Sequence, residues 1–236
     1  MTTPLSIDPL FHVDPENPYP ESDGRPMADN TLQFEWIVRI KENLEILFAD
    51  RPDVFIAGDL LWYPVPDRRQ AGPVAPDVMV VFGRPKGYRG CYKQWEEGNL
   101  PPQVVFEILS PSNSAQEMRN KLDLYGRYGV DEYYVYDPEP NRLEVWLRQG
   151  DRLAAMPHIK GWTSPRLGIR FELRSDGLGI YAPDGTPFLS SVELAERAKR
   201  EGERADFEAA RAEQEHARAE RLAARLRALG LDPDAP

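Results

Sequence analysis

Val104-Val105-Phe106-Glu107-Ile108-Leu109 is an apolar run interrupted by a single carboxylate. The run reads as a buried β-strand, and because side chains alternate across a strand, neither face of this one is expected to be wet. Burying a carboxylate is costly unless it is paired, hydrogen-bonded or bound to a cation. Upstream, Pro76-Asp77-Val78-Met79-Val80-Val81-Phe82 is another apolar run, this time with an acid at its entrance. Two acids on neighbouring apolar strands suggest a cation site.

Working outward, Asp29 or Asn30 is placed to cap a helix whose apolar residues Ile37, Ile40, Leu44, Leu47 and Phe48 recur at helical spacing before Pro52. Strands are expected over 54–63, 74–83 and 103–110. A second helix runs from Ala115 to Tyr128 and stops at Gly129, which suits a left-handed cap, and Val130–Asp137 and Leu143–Arg148 read as strands. The expected order is helix, three strands, helix, strand, an α/β arrangement. Residues 150–190 carry Asp176-Gly177 and Asp184-Gly185, so β-hairpins are expected to extend the same domain at its carboxyl end.

The flanks differ in composition. Residues 1–28 repeat prolines and acids with little to bury, and read as an extended or disordered arm; residues 29–190 form the domain. Residues 191–236 turn to Ala, Glu and Arg, and Ala-Arg-Ala-Glu at 210–213 returns at 217–220. That segment reads as a long helix. Its seam, Ala198, Ala205, Ala212, Ala219 and Leu226, is mostly alanine, so a solvated single helix and a self-associating coiled coil that makes a homodimer both stay open.

The chain has 236 residues, 41% of them hydrophobic and 10% aromatic, enough for one core. A net charge of −10 and a pI near 4.9 argue against binding nucleic acid by bulk attraction, so any such contact must be local. Cys91 is the single cysteine, which excludes an internal disulfide and a cysteine zinc cage. Met1-Thr2-Thr3-Pro4 begins no signal peptide and no apolar run reaches the ~20 residues of a membrane helix. A soluble, cytoplasmic protein without membrane contact is expected.

On the second helix, Met118, Leu122 and Tyr125 form one stripe, while Gln116, Arg119, Asn120, Asp123 and Arg127 share the opposite face. Lys121 falls on the apolar side. It either snorkels to the rim or pairs with an acid, Glu117 one turn back or Glu107 on the preceding strand. Glu117 also fits a capping box, Ser114-Ala115-Gln116-Glu117. The three histidines, His12, His158 and His216, are scattered, so Ser110 has no triad. Gly83-x-x-x-Gly87 lacks the ending of a phosphate loop. The connection that follows, Arg84-Pro85-Lys86-Gly87-Tyr88-Arg89-Gly90-Cys91-Tyr92-Lys93-Gln94-Trp95, interleaves cations with aromatics. Arg84, Lys86, Arg89 and Lys93 are therefore candidate nucleic-acid contacts, although a loop that packs its own aromatics explains the composition equally.

Pro76-Asp77, then Val105-Phe106-Glu107-Ile108-Leu109-Ser110-Pro111-Ser112, then Lys121-Leu122-x-x-Tyr125, and finally Gly129-Val130-x-Glu132-Tyr133-Tyr134-Val135-x-Asp137-Pro138 resemble the putative restriction endonuclease family within the PD-(D/E)xK nuclease superfamily. The resemblance spans residues 30–150 or so. It implies a restriction-endonuclease-like core and a DNA endonuclease dependent on Mg²⁺ or Mn²⁺, with Asp77 and Glu107 as metal ligands and Lys121 as the third catalytic group. The usual superfamily lysine stands two residues after the acid, and here that position is Leu109, so the resemblance offers Lys121 as a relocated lysine. Gln33, near the apolar stripe of the first helix, Asp59, Glu117 and Tyr125 are candidate accessory residues, although Gly58 beside Asp59 equally suggests a bulge or bend, whereas Glu35 falls on the polar face. The competing reading is a non-catalytic interaction or assembly protein that keeps the nuclease fold and lost its chemistry with Leu109.

Overall fold

The computed structural model describes residues 16–24 and 26–229. The first part of the expected arm, His12, residue 25 and the last seven residues lie outside the described residues. By contacts the chain divides into two units, Met1–Phe188 and Leu189–Pro236.

In the first unit, helix α1 (Thr31–Leu47) begins at Asn30, whose side chain accepts from the Gln33 N–H, so Asn30 and not Asp29 is the cap. Its buried stripe is Gln33, Trp36, Ile37, Ile40, Asn43 and Leu44. Strand β1 (Val54–Gly58) follows, then the short β2 (Trp62–Tyr63), β3 (Val78–Phe82), the short β4 (Tyr92–Lys93) and β5 (Val104–Ile108). Helix α2 (Ala115–Tyr128) is capped by Ser114 and ends on Gly129 at φ 103°. A β-carbon at Gly129 would meet Pro101 Cγ at 2.8 Å, so both conformation and space require glycine there. Strands β6 (Glu132–Asp137), β7 (Arg142–Gln149), β8 (Arg152–Ala155), β9 (Arg170–Arg174) and β10 (Gly177–Tyr181) complete the unit.

The main sheet has the order β1-β3-β5-β6-β7-β8. β5 and β6 are its parallel pair, joined through α2, and the other pairings are antiparallel. Helix, three strands, helix, strand is thus present as α1, β1, β3, β5, α2 and β6, the restriction-endonuclease-like order. Alternation along β3 and β5 divides the core: Val78, Val80, Val104 and Phe106 join the layer of α1, and Met79, Val81 and Val105 join the layer of Tyr125. Each such fully buried large apolar side chain contributes about 1.5–3 kcal/mol. Asp77 and Glu107 follow the same alternation onto the α2 side.

Two elements differ from the expectation. The single strand over 54–63 is broken at Asp59, which has φ 48° and gives its N–H to the Pro76 and Asp77 carbonyls. Beyond the break, β2 pairs in parallel with β4, outside the main sheet. Of the carboxyl-terminal hairpins, only β9–β10 stands apart, turning at Asp176-Gly177, while β8 extends the main sheet by pairing with β7. A buried carboxylate ties that extension down: Glu132 accepts from the Tyr134 hydroxyl (2.7 Å), the Ser164 hydroxyl (2.5 Å) and the Arg166 N–H (2.6 Å).

The second unit is helix α3 (Ser191–Ala228), opened by a reciprocal capping box between Ser190 and Glu193. Pairs one turn apart, Arg197–Glu201 (2.7 Å), Arg204–Glu208 (2.8 Å) and Arg211–Glu215 (3.1 Å), run along it. No described helix is long and apolar enough to cross a membrane. Ending the chain after Phe188 is expected to move the melting midpoint by less than about 4 °C, the shift that about 1 kcal/mol causes in a domain of this size. A collapse of the midpoint would contradict that, and solution mass before and after truncation reads whether the helix holds two copies together.

Candidate active site

Antiparallel pairing of Val78 with Phe106 sets Asp77 beside Glu107 where the two strands leave the sheet's centre. Asp77 is 8% exposed and Glu107 3%. Among the described residues, the donors to the Glu107 carboxylate come from α2: Lys121 Nζ lies 2.7 Å from Oε2, and the Tyr125 hydroxyl donates to Oε1 at 2.5 Å. Those two residues are one helical turn apart, so a single face of α2 grips both carboxylate oxygens. Tyr125 is fully buried, stacked near Trp62 and edge-on to Tyr133. Burial, then the charge of Glu107, holds its hydroxyl well above the ordinary phenol pKa, so it keeps its proton and acts as donor.

Asp77 Oδ2 accepts the Ile108 N–H at 2.6 Å. Burial and then the nearby Glu107 push its pKa up to about 8, against the opposing pull of Lys121 and the Ile108 N–H. Two acids in one poorly hydrated place repel, and one of them holds a proton until more positive charge arrives. Lys121 responds in the opposite sense. Burial alone would lower its pKa, but Glu107 and Asp77 outweigh burial and raise it, so the ammonium stays charged.

Asp77 and Lys121 open onto a cavity of about 420 Å³ whose wall also includes Asp23, Gln33, Asp59 and Glu117, with Glu107 and Tyr125 behind them. Asp59 sits there half-buried, its pKa raised to about 6 by burial and then by Asp23. Gln33 braces the site from α1: its Nε2 donates to the Ile108 carbonyl at 3.0 Å, and its Oε1 accepts the Asp29 N–H at 2.8 Å. Asp29 in turn accepts from the hydroxyls of Ser110 (2.7 Å) and Ser112, so Ser110 is a strut and not a nucleophile. Both polar groups of Ile108 are thereby fixed. Gln33→Ala would leave its buried carbonyl unsatisfied, and a loss of about 1–3 kcal/mol is expected in denaturant unfolding; an unchanged midpoint would contradict the bracing.

Asp77, Glu107, Lys121, Gln33, Asp59, Glu117 and Tyr125 therefore converge. Ser114 Oγ accepts the Glu117 N–H, while Glu117 itself lines the cavity. Leu109 packs against the apolar layer that includes Met118 and Leu122. Two contributors were absent from the sequence reading: the Ile108 N–H, which only strand register reveals, and Asp23, which arrives from the arm.

The start of the basic loop is far from this place: Arg84 follows Asp77 by seven residues, roughly 23 Å of extended chain. Its cations already have company: Lys86 pairs with Glu45 (2.8 Å), Arg89 with Glu97 (2.6 Å) and Lys93 with Glu96 (3.4 Å), while Arg84 packs over Gly98. Arg89 also lies 4.0 Å over the Phe55 ring. A phosphate would have to exchange with these carboxylates.

Among the described residues no group of three or more His, Cys, Asp or Glu side chains stands placed to hold an ion. Two carboxylates fit Mg²⁺ nonetheless, since that ion keeps several waters and binds through one or two carboxylates plus the substrate's phosphate. Burial first and the Glu107 charge second raise the Asp77 pKa, and a divalent cation between the two carboxylates would offset both costs.

The family model described as Uma2, putative restriction endonuclease, matches residues 25–184. Solved structures that match include a putative nuclease belonging to DUF820 from Anabaena variabilis ATCC 29413, with 13% identity, over 61% of this chain and 79% of that one, at a TM-score of 0.42. A likeness of that size carries no argument about activity. No curated protein matches.

Proposed function

The chain belongs to the putative restriction endonuclease family, and from that premise we propose that it is a divalent-metal-dependent endonuclease hydrolysing phosphodiester bonds of DNA at Asp77, Glu107 and Lys121. The observation that carries this reading is the 2.7 Å contact of Lys121 with Glu107 beside Asp77, a buried acid pair with a cation delivered from the following helix. Hydrolysis of a phosphodiester needs positive charge at the non-bridging oxygens, and a buried site makes each such charge count for more.

Asp77 and Glu107 are the residues that would hold Mg²⁺ or Mn²⁺. A bound divalent ion supplies Lewis acidity toward a phosphodiester oxygen. Tyr125 keeps its proton and fixes one oxygen of Glu107, which leaves that carboxylate little freedom to turn away. Lys121, fixed by the other oxygen, holds an ammonium where phosphate charge grows. The Ile108 N–H orients Asp77, and Gln33 keeps Ile108 in place.

The assay is nicking of supercoiled plasmid by purified full-length protein with Mg²⁺ or Mn²⁺, and with excess EDTA. Metal-supported nicking that EDTA stops is the expected result. The competing reading, a non-catalytic assembly protein, draws on Leu109 being an apolar packing residue where the superfamily usually keeps its lysine. It expects no nicking under any ion.

A further inference from the structure

Arm residues 18–23 lie along a groove with aromatic and cationic walls. The Tyr19 ring packs edge-on to Tyr63 (centroids 5.4 Å apart) and tilted against Trp95 (5.1 Å), and the Lys93 ammonium stands 5.4 Å over the Tyr19 ring while pairing with the exposed Glu96 at 3.4 Å, a partner a phosphate would replace. The arm's backbone is held by its carbonyls: the Tyr63 hydroxyl donates to Pro20 O at 2.7 Å, and the Arg68 guanidinium to Pro18 O at 3.1 Å. Arg68 is only 4% exposed and its Nε has no hydrogen-bond partner among the described residues, so part of its donor capacity is unused.

This groove runs into the candidate site. Leu61 lines the cavity with Asp77 and Lys121, and Tyr63 stands two residues further along the same segment. The arm takes the same route, since Asp23, four residues after Tyr19, also lines that cavity. Aromatic faces interleaved with Lys and Arg are the chemistry that binds a single nucleic-acid strand, with bases stacked on the rings and phosphates on the cations. The arm offers a matching pair of features, a ring on the aromatic platform and a carboxylate at the cavity wall.

We propose that the Tyr63–Trp95–Lys93–Arg68 groove is the path by which an unpaired DNA strand enters the cleavage site, and that arm residues 18–23 occupy it until a strand displaces them. The proposal rests on the nuclease reading and adds a substrate class to it, DNA with unpaired bases next to the cut. Paired bases present no free face for Trp95 and Tyr63 to stack on.

The test measures binding apart from cleavage. A fluorescein-labelled single strand of about 16 nucleotides, near the upper site size of a strand-binding groove, is titrated with full-length protein in Ca²⁺, an oxygen-seeking cation of weaker Lewis acidity. Tyr19→Ala, which weakens the competitor, is expected to bind it about tenfold more tightly than wild type. Trp95→Ala added to that variant should abolish the gain, and a duplex of the same sequence should show none. Thermal melting checks the fold; if Tyr19→Ala unfolds, Asp23→Ala, which keeps the Tyr19 anchor, carries the same expectation. Unchanged or weaker binding by the arm variant, or a gain that survives loss of Trp95, would overturn the groove. Plasmid nicking separates the two readings: cleavage with no gain in strand binding leaves the nuclease and removes the groove, whereas a gain without cleavage removes the nuclease and the entry path with it, leaving only a strand-binding surface.

Discussion

Lys121→Met is expected to lower Mg²⁺-supported nicking of DNA by about a hundredfold or more, the usual cost of removing one preorganised charge from an oxyanion site, with ion binding retained. Its ammonium touches Glu107 and not Asp77, so its loss frees a carboxylate oxygen for the metal. Methionine keeps the unbranched apolar stem of the side chain but supplies no charge. Affinity for Mn²⁺, read by calorimetry, should hold or rise, which distinguishes a lost chemical group from a lost site. The double variant Leu109→Lys/Lys121→Met probes the relocation directly. Position 109 lies two residues beyond Glu107 along the same chain direction, on the same face by alternation, so a lysine there approaches the same phosphate. Recovery of nicking would place the two positions at one oxyanion; equal nicking by wild type and Lys121→Met would remove the lysine from the mechanism.

The second large effect is on stability. The Asp77 carboxyl has a pKa of about 8 in the folded, metal-free protein, far above the roughly 3.9 of an unfolded aspartate. A carboxyl with a raised folded pKa is stabilising in its protonated form, so its contribution is full below about pH 4 and is lost as pH rises through 4 to about 8. Metal-free wild type should therefore lose stability across that window. Asp77→Asn cannot ionise and can still accept the Ile108 N–H, so it escapes the loss. At pH 8 the gain is on the order of 3 kcal/mol, after discounting the full linkage of about 1.4 kcal/mol per pKa unit for Lys121 and local relaxation. In a domain of this size that is about 6–12 °C in melting midpoint. Near pH 4 the two proteins should melt together. Mn²⁺ should reverse the order at pH 8 by stabilising wild type and not the variant. A variant that melts below wild type in EDTA at pH 8 would mean that Asp77 is an ordinary structural acid.

Much of this was legible from residue order. Glu107 within its apolar run and Asp77 at the head of another specify two central strands, whereas the register of β3 against β5 is what sets both acids on one face. Helical periodicity placed Lys121 and Tyr125 a turn apart on the inward side of α2, and the Ser114 and Gly129 boundaries follow from capping and left-handed chemistry. The break at Asp59 was legible in part, since Gly58 suggests a bulge or bend there, but not its form: a non-glycine residue at φ 48° is held by the Pro76 and Asp77 carbonyls, partners that the local sequence does not contain. The Ile108 N–H was hidden for a similar reason: a backbone donor has no sequence signature, and its role depends on the register of β3 against β5. The basic loop is legible in composition but not in its pairing: Glu45, Glu97 and Glu96 meet Lys86, Arg89 and Lys93 in three dimensions, so a phosphate there has to exchange with carboxylates. The arm looked featureless by composition, yet Tyr19 and Asp23 are the residues that bring it to the cavity.

The central claim is that Asp77 and Glu107 together hold a divalent cation, and a crystal of wild-type protein soaked in Mn²⁺ at pH 8 or above, where Asp77 gives up its proton, tests it most directly. Anomalous diffraction at the manganese edge should show one strong peak within ligand distance of both carboxylates and none there in Asp77→Asn. A peak bound elsewhere, or the same peak in both proteins, would contradict the account.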